Sequence, residues 1–143
     1  MTLRKTLLST LLLSFAIAGN VYAETAAEKF DRAVQYTDQQ NYQAAFPIFK
    51  ELAEQGDAVA QFNLGLMYDN GQGVRQDYHQ AFKWYQKAAE QDLVQAQFVL
   101  GGMYELGQGV RQNSTTAKMW LGKACDNGNQ KACDFYRDLN GGK

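Results

Sequence analysis

Apolar and small residues recur at helical spacing along most of the chain. Ala60, Leu64 and Tyr68 lie about one turn apart, so they fall on the same face of a helix that begins near residue 58. The stretch Gly71-Gln72-Gly73 follows, and glycine readily adopts the positive φ angles that end helices. The pattern therefore predicts a first helix that stops at these glycines.

A second helical pattern begins directly after this turn. Asp77 is suited to cap a helix, and Gln80 three residues later completes a capping-box pattern. Ala81, Trp84 and Ala88 then lie on one helix face. Small and large apolar residues alternate, as two interdigitating helices require. We therefore expect an antiparallel pair of helices that approach each other closely.

This pair recurs in the chain at a fixed offset of 36 residues. Residues 58–77 read AVAQFNLGLMYDNGQGVRQD, and residues 94–113 read VQAQFVLGGMYELGQGVRQN. The match continues into the second helices, where Trp84 corresponds to Trp120. A period between about 20 and 50 residues is typical of arrays in which each unit packs on its neighbours. The sequence predicts an all-α fold, an α-solenoid of antiparallel helix pairs.

The repeated unit resembles the Sel1-like repeat, a close relative of the tetratricopeptide repeat. Its hallmark combines LG-x-x-Y, G-x-G-V and A-x-x-W-Y-x-x-A-A, and the stretch LGLMYDNGQGVRQDYHQAFKWYQKAAEQ carries all three parts. We assign the two units to residues 58–93 and 94–129. The second unit departs from the motif at Leu121 and at Cys125, where the first has tyrosine and alanine.

The flanking segments fit the same resemblance. Residues 24–57 are similar to a tetratricopeptide repeat and are interpreted as a half-repeat that opens the solenoid. Pro47 lies inside the second helix of this segment and predicts a kink near residues 43–46. Residues 130–143 have the phase of a first helix and carry polar residues, which suits a C-terminal capping helix. The total is about seven helices.

The N-terminus has the pattern of a secretory signal peptide. Arg4 and Lys5 precede a run of 12 mostly apolar residues, and Val21 and Ala23 suit a signal peptidase site. A membrane anchor is the alternative, but 12 helical residues rise only about 18 Å against a hydrocarbon core of about 30 Å. We therefore expect cleavage after Ala23, a signal peptide at residues 1–23, no stable membrane insertion afterwards, and a periplasmic or secreted protein.

Export to an oxidising compartment would allow the two cysteines to form a disulfide. Cys125 and Cys133 are eight residues apart, and in an oxidising compartment this spacing predicts a disulfide. A metal site would need two further ligands, and the single histidine, His79, is distant in sequence. The spacing also resembles that of the Helicobacter cysteine-rich proteins, an exported branch of the Sel1-like family. We expect neither a metal ion nor a cofactor.

The charge of the chain argues against a nucleic-acid partner. Without Arg4 and Lys5 the chain has 12 basic and 15 acidic residues, a net charge of about −3. Proteins that bind nucleic acids usually present a basic face that neutralises phosphates. A nucleic-acid partner is therefore not expected.

The cysteine-rich branch raises an enzymatic alternative, a penicillin-binding or weakly β-lactamase-like cell-wall protein. A serine β-lactamase needs Ser-x-x-Lys with further motifs. The stretch that begins at Ser114 has alanine at the fourth position, and the stretch from Thr115 to Lys118 has threonine instead of serine. His79 is the only histidine for a serine triad. We therefore predict that the protein is not an enzyme and has no catalytic residues.

A binding face follows from the resemblance to tetratricopeptide repeats, whose first helices line the concave side of the solenoid. The apolar stripe Phe30, Phe62 and Phe98 would lie there with an acidic rim, and an apolar groove with a polar rim suits a protein or peptide partner. The alternative, that these phenylalanines pack between neighbouring helices, stays open. The predicted face comprises Phe30, Val34, Asp38, Phe62, Leu66, Asp69, Asn70, Phe98 and Glu105.

Overall fold

The computed structural model describes residues 23–141, and this part of the chain folds into seven helices without a strand. Each helix packs on the next one in chain order, as in a solenoid. The predicted all-α architecture and the number of helices are confirmed. The helices are α1 (Ala26–Asp38), α2 (Tyr42–Glu54), α3 (Ala58–Asn70), α4 (Tyr78–Glu90), α5 (Val94–Leu106), α6 (Ser114–Asp126) and α7 (Gln130–Leu139).

Side-chain caps start the second helix of every pair at the same point of the repeat. Asn41, Asp77 and Asn113 follow one another at 36-residue intervals, and each accepts a hydrogen bond from the backbone N–H three residues later. The capping role predicted for Asp77 is confirmed. Such a cap stabilises a helix by about 1 kcal/mol, because it satisfies a backbone donor that has no partner within the helix.

The connections within the helix pairs differ in length. In the two Sel1-like units the first helix ends at Gly71 or Gly107, both left-handed with φ of 66° and 67°. Seven residues then lead to the second helix, at 71–77 and 107–113. In the first pair only residues 39–41 separate α1 from α2. The N-terminal pair thus has a shorter connection than the units that follow it.

Close packing inside each unit depends on a glycine of the first helix. A Cβ atom on Gly65 would lie 2.7 Å from the ring of Tyr85, which is completely buried. A Cβ on Gly101 would lie 2.7 Å from Leu121, the residue that replaces this tyrosine in the second unit. The two glycines therefore let α3 approach α4 and α5 approach α6 closely, as the sequence pattern predicted.

Pro47 lies inside α2, and the helix does not break there. The helix is continuous from Tyr42 to Glu54, and Pro47 itself is exposed. Proline has no backbone N–H. The carbonyl of Gln43 therefore lacks the hydrogen bond that a residue other than proline at position 47 would donate to it. A change of helix direction at this point stays a prediction.

The last helix is attached to the solenoid by packing and by a disulfide. Cys125 near the end of α6 bonds to Cys133 in α7, with 4.6 Å between their Cα atoms, so the predicted pairing is confirmed. Ala132 of α7 is buried against Leu121 and Ala124 of α6. The disulfide therefore links α7 covalently to α6, the helix on which it packs.

The predicted signal peptide lies outside the described residues, apart from Ala23. Within residues 23–141, no helix is both long and apolar enough to cross a membrane.

Candidate binding face

The predicted binding residues lie on α1, α3 and α5, the first helices of the three pairs, and we call this set the candidate binding face. Their exposure divides them into two groups. The exposed ones are Val34, Asp38 and Asn70. The partly buried ones are Phe30, Phe62, Leu66, Asp69, Phe98 and Glu105.

The three phenylalanines of the face pack against neighbouring helices. The ring of Phe30 meets Phe49 of α2 edge to face, with 5.7 Å between their centroids. The ring of Phe62 lies 5.5 Å from that of Tyr85 in α4. Phe98 packs against the cluster that joins α6 and α7. The three phenylalanines thus pack on the core while their residues stay partly exposed, a combination that helical phase alone could not predict.

Aliphatic side chains supply the accessible apolar surface of α1, α3 and α5. Val34 is 37% exposed, and Leu66 is half-buried. Leu106, at the end of α5, is 75% exposed and directly follows Glu105. The resemblance to tetratricopeptide repeats also predicts an inward position for Leu106, so we include it in the candidate binding face.

A tyrosine holds the acidic residue of the first Sel1-like unit. The hydroxyl of Tyr85 donates a hydrogen bond to Oδ2 of Asp69 at 3.3 Å. Burial raises the pKa of Tyr85 far above its usual range, and the adjacent negative charge of Asp69 adds to this effect. The hydroxyl therefore stays protonated and available as a donor. Sequence reasoning assigned Tyr85 to the core motif only and missed this contact between the two helices.

The corresponding acidic residue of the second unit has no such donor. Glu105 lies 36 positions after Asp69, and Leu121 stands where Tyr85 would be. Oε2 of Glu105 is buried without a hydrogen-bond partner in the described part of the chain. The two acidic positions are thus equivalent in the repeat but differ in how their charges are satisfied.

Two buried glutamines, Gln61 and Gln97, connect helices behind the candidate binding face, and Gln61 shows how. The Nε2 of Gln61 donates to the carbonyl of Ala53 at 3.2 Å, and its Oε1 accepts from Nε2 of Gln91 at 2.8 Å. Gln61 therefore connects the end of α2 with the end of α4. A polar residue that recurs among apolar core positions was the available signal, and the sequence analysis did not use it.

A cleft of about 700 Å³ lies between the α1–α2 and α3–α4 connections, not at the phenylalanine stripe. Arg75 lines it together with Asn41 and Gln43. The connection between α1 and α2 has only three residues, whereas the one between α3 and α4 has seven. This difference in length leaves space beside the longer connection, and the cleft lies there. The cleft is open and polar, and it shares no residue with the candidate binding face.

The residues considered for catalysis lie apart from one another on α4 and α6. Ser114 and Thr115 are exposed in the first turn of α6, directly after its N-cap Asn113. His79 is exposed in the first turn of α4. No side-chain hydrogen bond within residues 23–141 joins either hydroxyl to a base. The same part of the chain contains no group of three histidine, cysteine, aspartate or glutamate side chains that could hold a metal ion.

Stacked antiparallel helix pairs with a 36-residue period define this chain as a helical repeat protein. The Sel1 repeat model matches residues 58–93 and 94–129, the same two units that the sequence pattern indicated. The chain therefore belongs to the Sel1 repeat family. No curated protein has a significant match to it.

Solved structures agree with this assignment. A Sel1 repeat protein from Oxalobacter formigenes is 36% identical, with a TM-score of 0.73 over 79% of this chain and 88% of that one. A protective antigen of uropathogenic Escherichia coli is 31% identical with a TM-score of 0.76, and the match covers 81% of this chain but only 26% of the antigen. Cysteine-rich protein B of Helicobacter pylori is 24% identical, covers 78% of this chain and 98% of its own, and with a TM-score of 0.63 shows the shared fold. Sel1 repeats are generally scaffolds for protein–protein interaction.

Proposed function

We propose that this protein is an exported binding module that holds a protein or peptide on the concave face formed by α1, α3 and α5. The observation that carries the proposal is the accessible apolar surface of these helices beside recurring carboxylates. Val34, Leu66 and Leu106 supply the apolar contacts, and Asp38, Asp69 and Glu105 supply the acidic rim. The partner segment is therefore apolar with lysine or arginine among its residues.

Binding, and not catalysis, is supported by the same residues. The hydroxyl of Tyr85 donates to Asp69 and thereby connects two helices. The glycines, helix caps and buried glutamines that recur in the units set the spacing of the helices, and this spacing determines the shape of the surface. A penicillin-binding activity has no supporting observation in the described residues.

The pull-down of envelope proteins with surface variants tests the binding face. Val34→Ser and Leu106→Ser remove exposed apolar side chains from the face without removing a phenylalanine that packs on a neighbouring helix. Met119→Ser is the matched control, because Met119 is 49% exposed but lies on α6, a second helix. We expect the first two variants to lose the captured partner and the control to retain it. Equal capture by all three variants would refute the face.

Export is tested separately. The N-terminal signal pattern and the disulfide between Cys125 and Cys133 support a periplasmic or secreted location. N-terminal sequencing of the protein from a periplasmic extract should begin at Glu24. Recovery of the chain only from the cytoplasm, with Met1 in place, would contradict export.

A further inference from the structure

The two Sel1-like units place an acidic side chain at the same point but treat it differently. Asp69 receives a hydrogen bond from the Tyr85 hydroxyl, whereas Leu121 offers Glu105 no donor. Leu121 is fully buried and fills the space in front of Gly101 together with the backbone carbonyl of Ala117, and neither group is a hydrogen-bond donor. The second unit thus keeps a carboxylate at the binding face and omits the internal donor.

One carboxylate oxygen of Glu105 has no hydrogen-bond partner in the described part of the chain. Burying a charged oxygen without a hydrogen-bond partner costs free energy, because the lost hydration is not replaced. Oε2 of Glu105 is in this situation. The four ion pairs among the described residues join other side chains, so none of them compensates the charge of Glu105.

We propose that Glu105 is the specificity-determining residue of the binding face and accepts the ammonium or guanidinium group of one lysine or arginine in the bound peptide. This inference rests on the proposed function. Oε2 of Glu105 is buried in the free protein, so on binding the partly exposed side chain turns outward, and a cation of the peptide supplies the donor that Tyr85 supplies to Asp69. Leu106 is exposed directly beside Glu105, so an apolar residue next to the basic one has a surface to contact.

The chemistry of the site favours an organic cation over a metal ion. A divalent cation takes several oxygen or nitrogen ligands, and no suitable group of three side chains exists within residues 23–141. A single carboxylate is sufficient for an ammonium or a guanidinium group. Asp69, already bonded to Tyr85, is expected to contribute less to this recognition.

Selection from a random library of seven-residue peptides displayed on phage tests the inference and needs no identified partner. On the unmodified protein, enriched peptides should carry lysine or arginine at one position beside an apolar residue. Glu105→Gln should abolish this preference for lysine or arginine. It should also lower the affinity for the peptides selected on the unmodified protein by about tenfold or more. Asp126→Asn, the matched control, removes an exposed carboxylate at the end of α6, outside the candidate binding face, and should keep the preference.

A second variant tests the internal donor directly. Leu121→Tyr introduces the residue found in the first unit, opposite the glycine that accommodates it there, and should donate to Glu105. We expect it to remain folded and to lose the basic preference as Glu105→Gln does. Circular dichroism checks that every variant keeps its helices.

The possible results separate the two proposals. If peptides are enriched but the basic preference is absent, or persists in Glu105→Gln, the role of Glu105 is refuted while the binding face stands. If no peptide is enriched on the unmodified protein, the binding face and the role of Glu105 both fail.

Discussion

The side chain of Gln97 links two helices that do not follow each other in the chain. Its Nε2 donates to the carbonyl of Ala89 at 3.3 Å, and its Oε1 accepts from Nδ2 of Asn127 at 3.0 Å. Ala89 lies at the end of α4, and Asn127 follows the end of α6. The same arrangement exists around Gln61 one unit earlier. These bridges connect the second helices of successive pairs through a glutamine of the first helix between them.

Replacing Gln97 should destabilise the protein. Gln97→Leu removes three side-chain hydrogen bonds at a fully buried position and leaves the carbonyl of Ala89 without this donor. We expect the free energy of unfolding to fall by about 1–3 kcal/mol. Urea unfolding followed by circular dichroism measures this change. The control Gln95→Leu alters an exposed residue of the same helix, and a loss as large as that of Gln97→Leu would contradict the bridging role.

Gly109 is expected to tolerate no side chain. Its φ is +69°, and a Cβ atom would collide with the carbonyl of Tyr78, the first residue of α4. Gly109→Ala should therefore cost at least about 2 kcal/mol of unfolding free energy, because both the backbone angle and the contact between units oppose it. Thermal unfolding measures the loss.

Gly102 provides the matched control for this substitution. It lies inside α5, and a Cβ atom there would meet nothing within 4 Å. Gly102→Ala should raise the free energy of unfolding by about 0.5–1 kcal/mol, since alanine favours the helix. A destabilised Gly102→Ala together with an unaffected Gly109→Ala would contradict the assigned contacts.

The buried hydroxyl of Tyr85 predicts a dependence of stability on high pH. Its pKa is raised in the folded state above the value of about 10 in the unfolded chain, so folding favours the protonated form. Its contribution is fully present below about pH 10 and declines as the pH rises further, by up to about 1.4 kcal/mol per pH unit. Urea titrations from pH 8 to about 11 measure this decline.

Tyr85→Phe should reduce this alkaline decline. At neutral pH the variant should lose about 1 kcal/mol, because Asp69 no longer receives the hydroxyl hydrogen bond. Tyr136→Phe is the control, since Tyr136 is exposed on α7. The same alkaline decline in the unmodified protein and in Tyr85→Phe would show that Tyr85 is not its source.

Loss of the disulfide should weaken the last helix first. Cys125→Ala combined with Cys133→Ala frees α7, and chain entropy for a loop of about nine residues gives a loss of about 2.5 kcal/mol. Hydrogen exchange should increase in α7 and leave α3 and α4 unchanged. Uniformly faster exchange along the solenoid would show that the disulfide stabilises the whole molecule and not its end.

The helices and their pairing could be predicted from the sequence because local patterns determine them. Apolar spacing, the cap at Asp77 and the glycines after α3 and α5 all act within a few residues, and a 36-residue period implies stacking. Contacts between units could not be read in this way. The approach of Gly109 to Tyr78 depends on the distance between two helix pairs, which no local pattern gives.

The binding face was predictable only in part. The register placed the nine residues on the first helices, but it could not decide how far each phenylalanine packs on its neighbour. The difference between Asp69 and Glu105 was visible as the departure at Leu121, yet its meaning required the hydroxyl of Tyr85 to be located in space.

Site-specific photo-crosslinking in the living cell tests the binding face most directly. A photoreactive amino acid at Val34, Leu66 or Leu106 on the first helices is predicted to capture the same partner. At Met119 on α6 it is predicted to capture none. Adducts at Met119 alone, or equal adducts at all four positions, would contradict recognition through α1, α3 and α5.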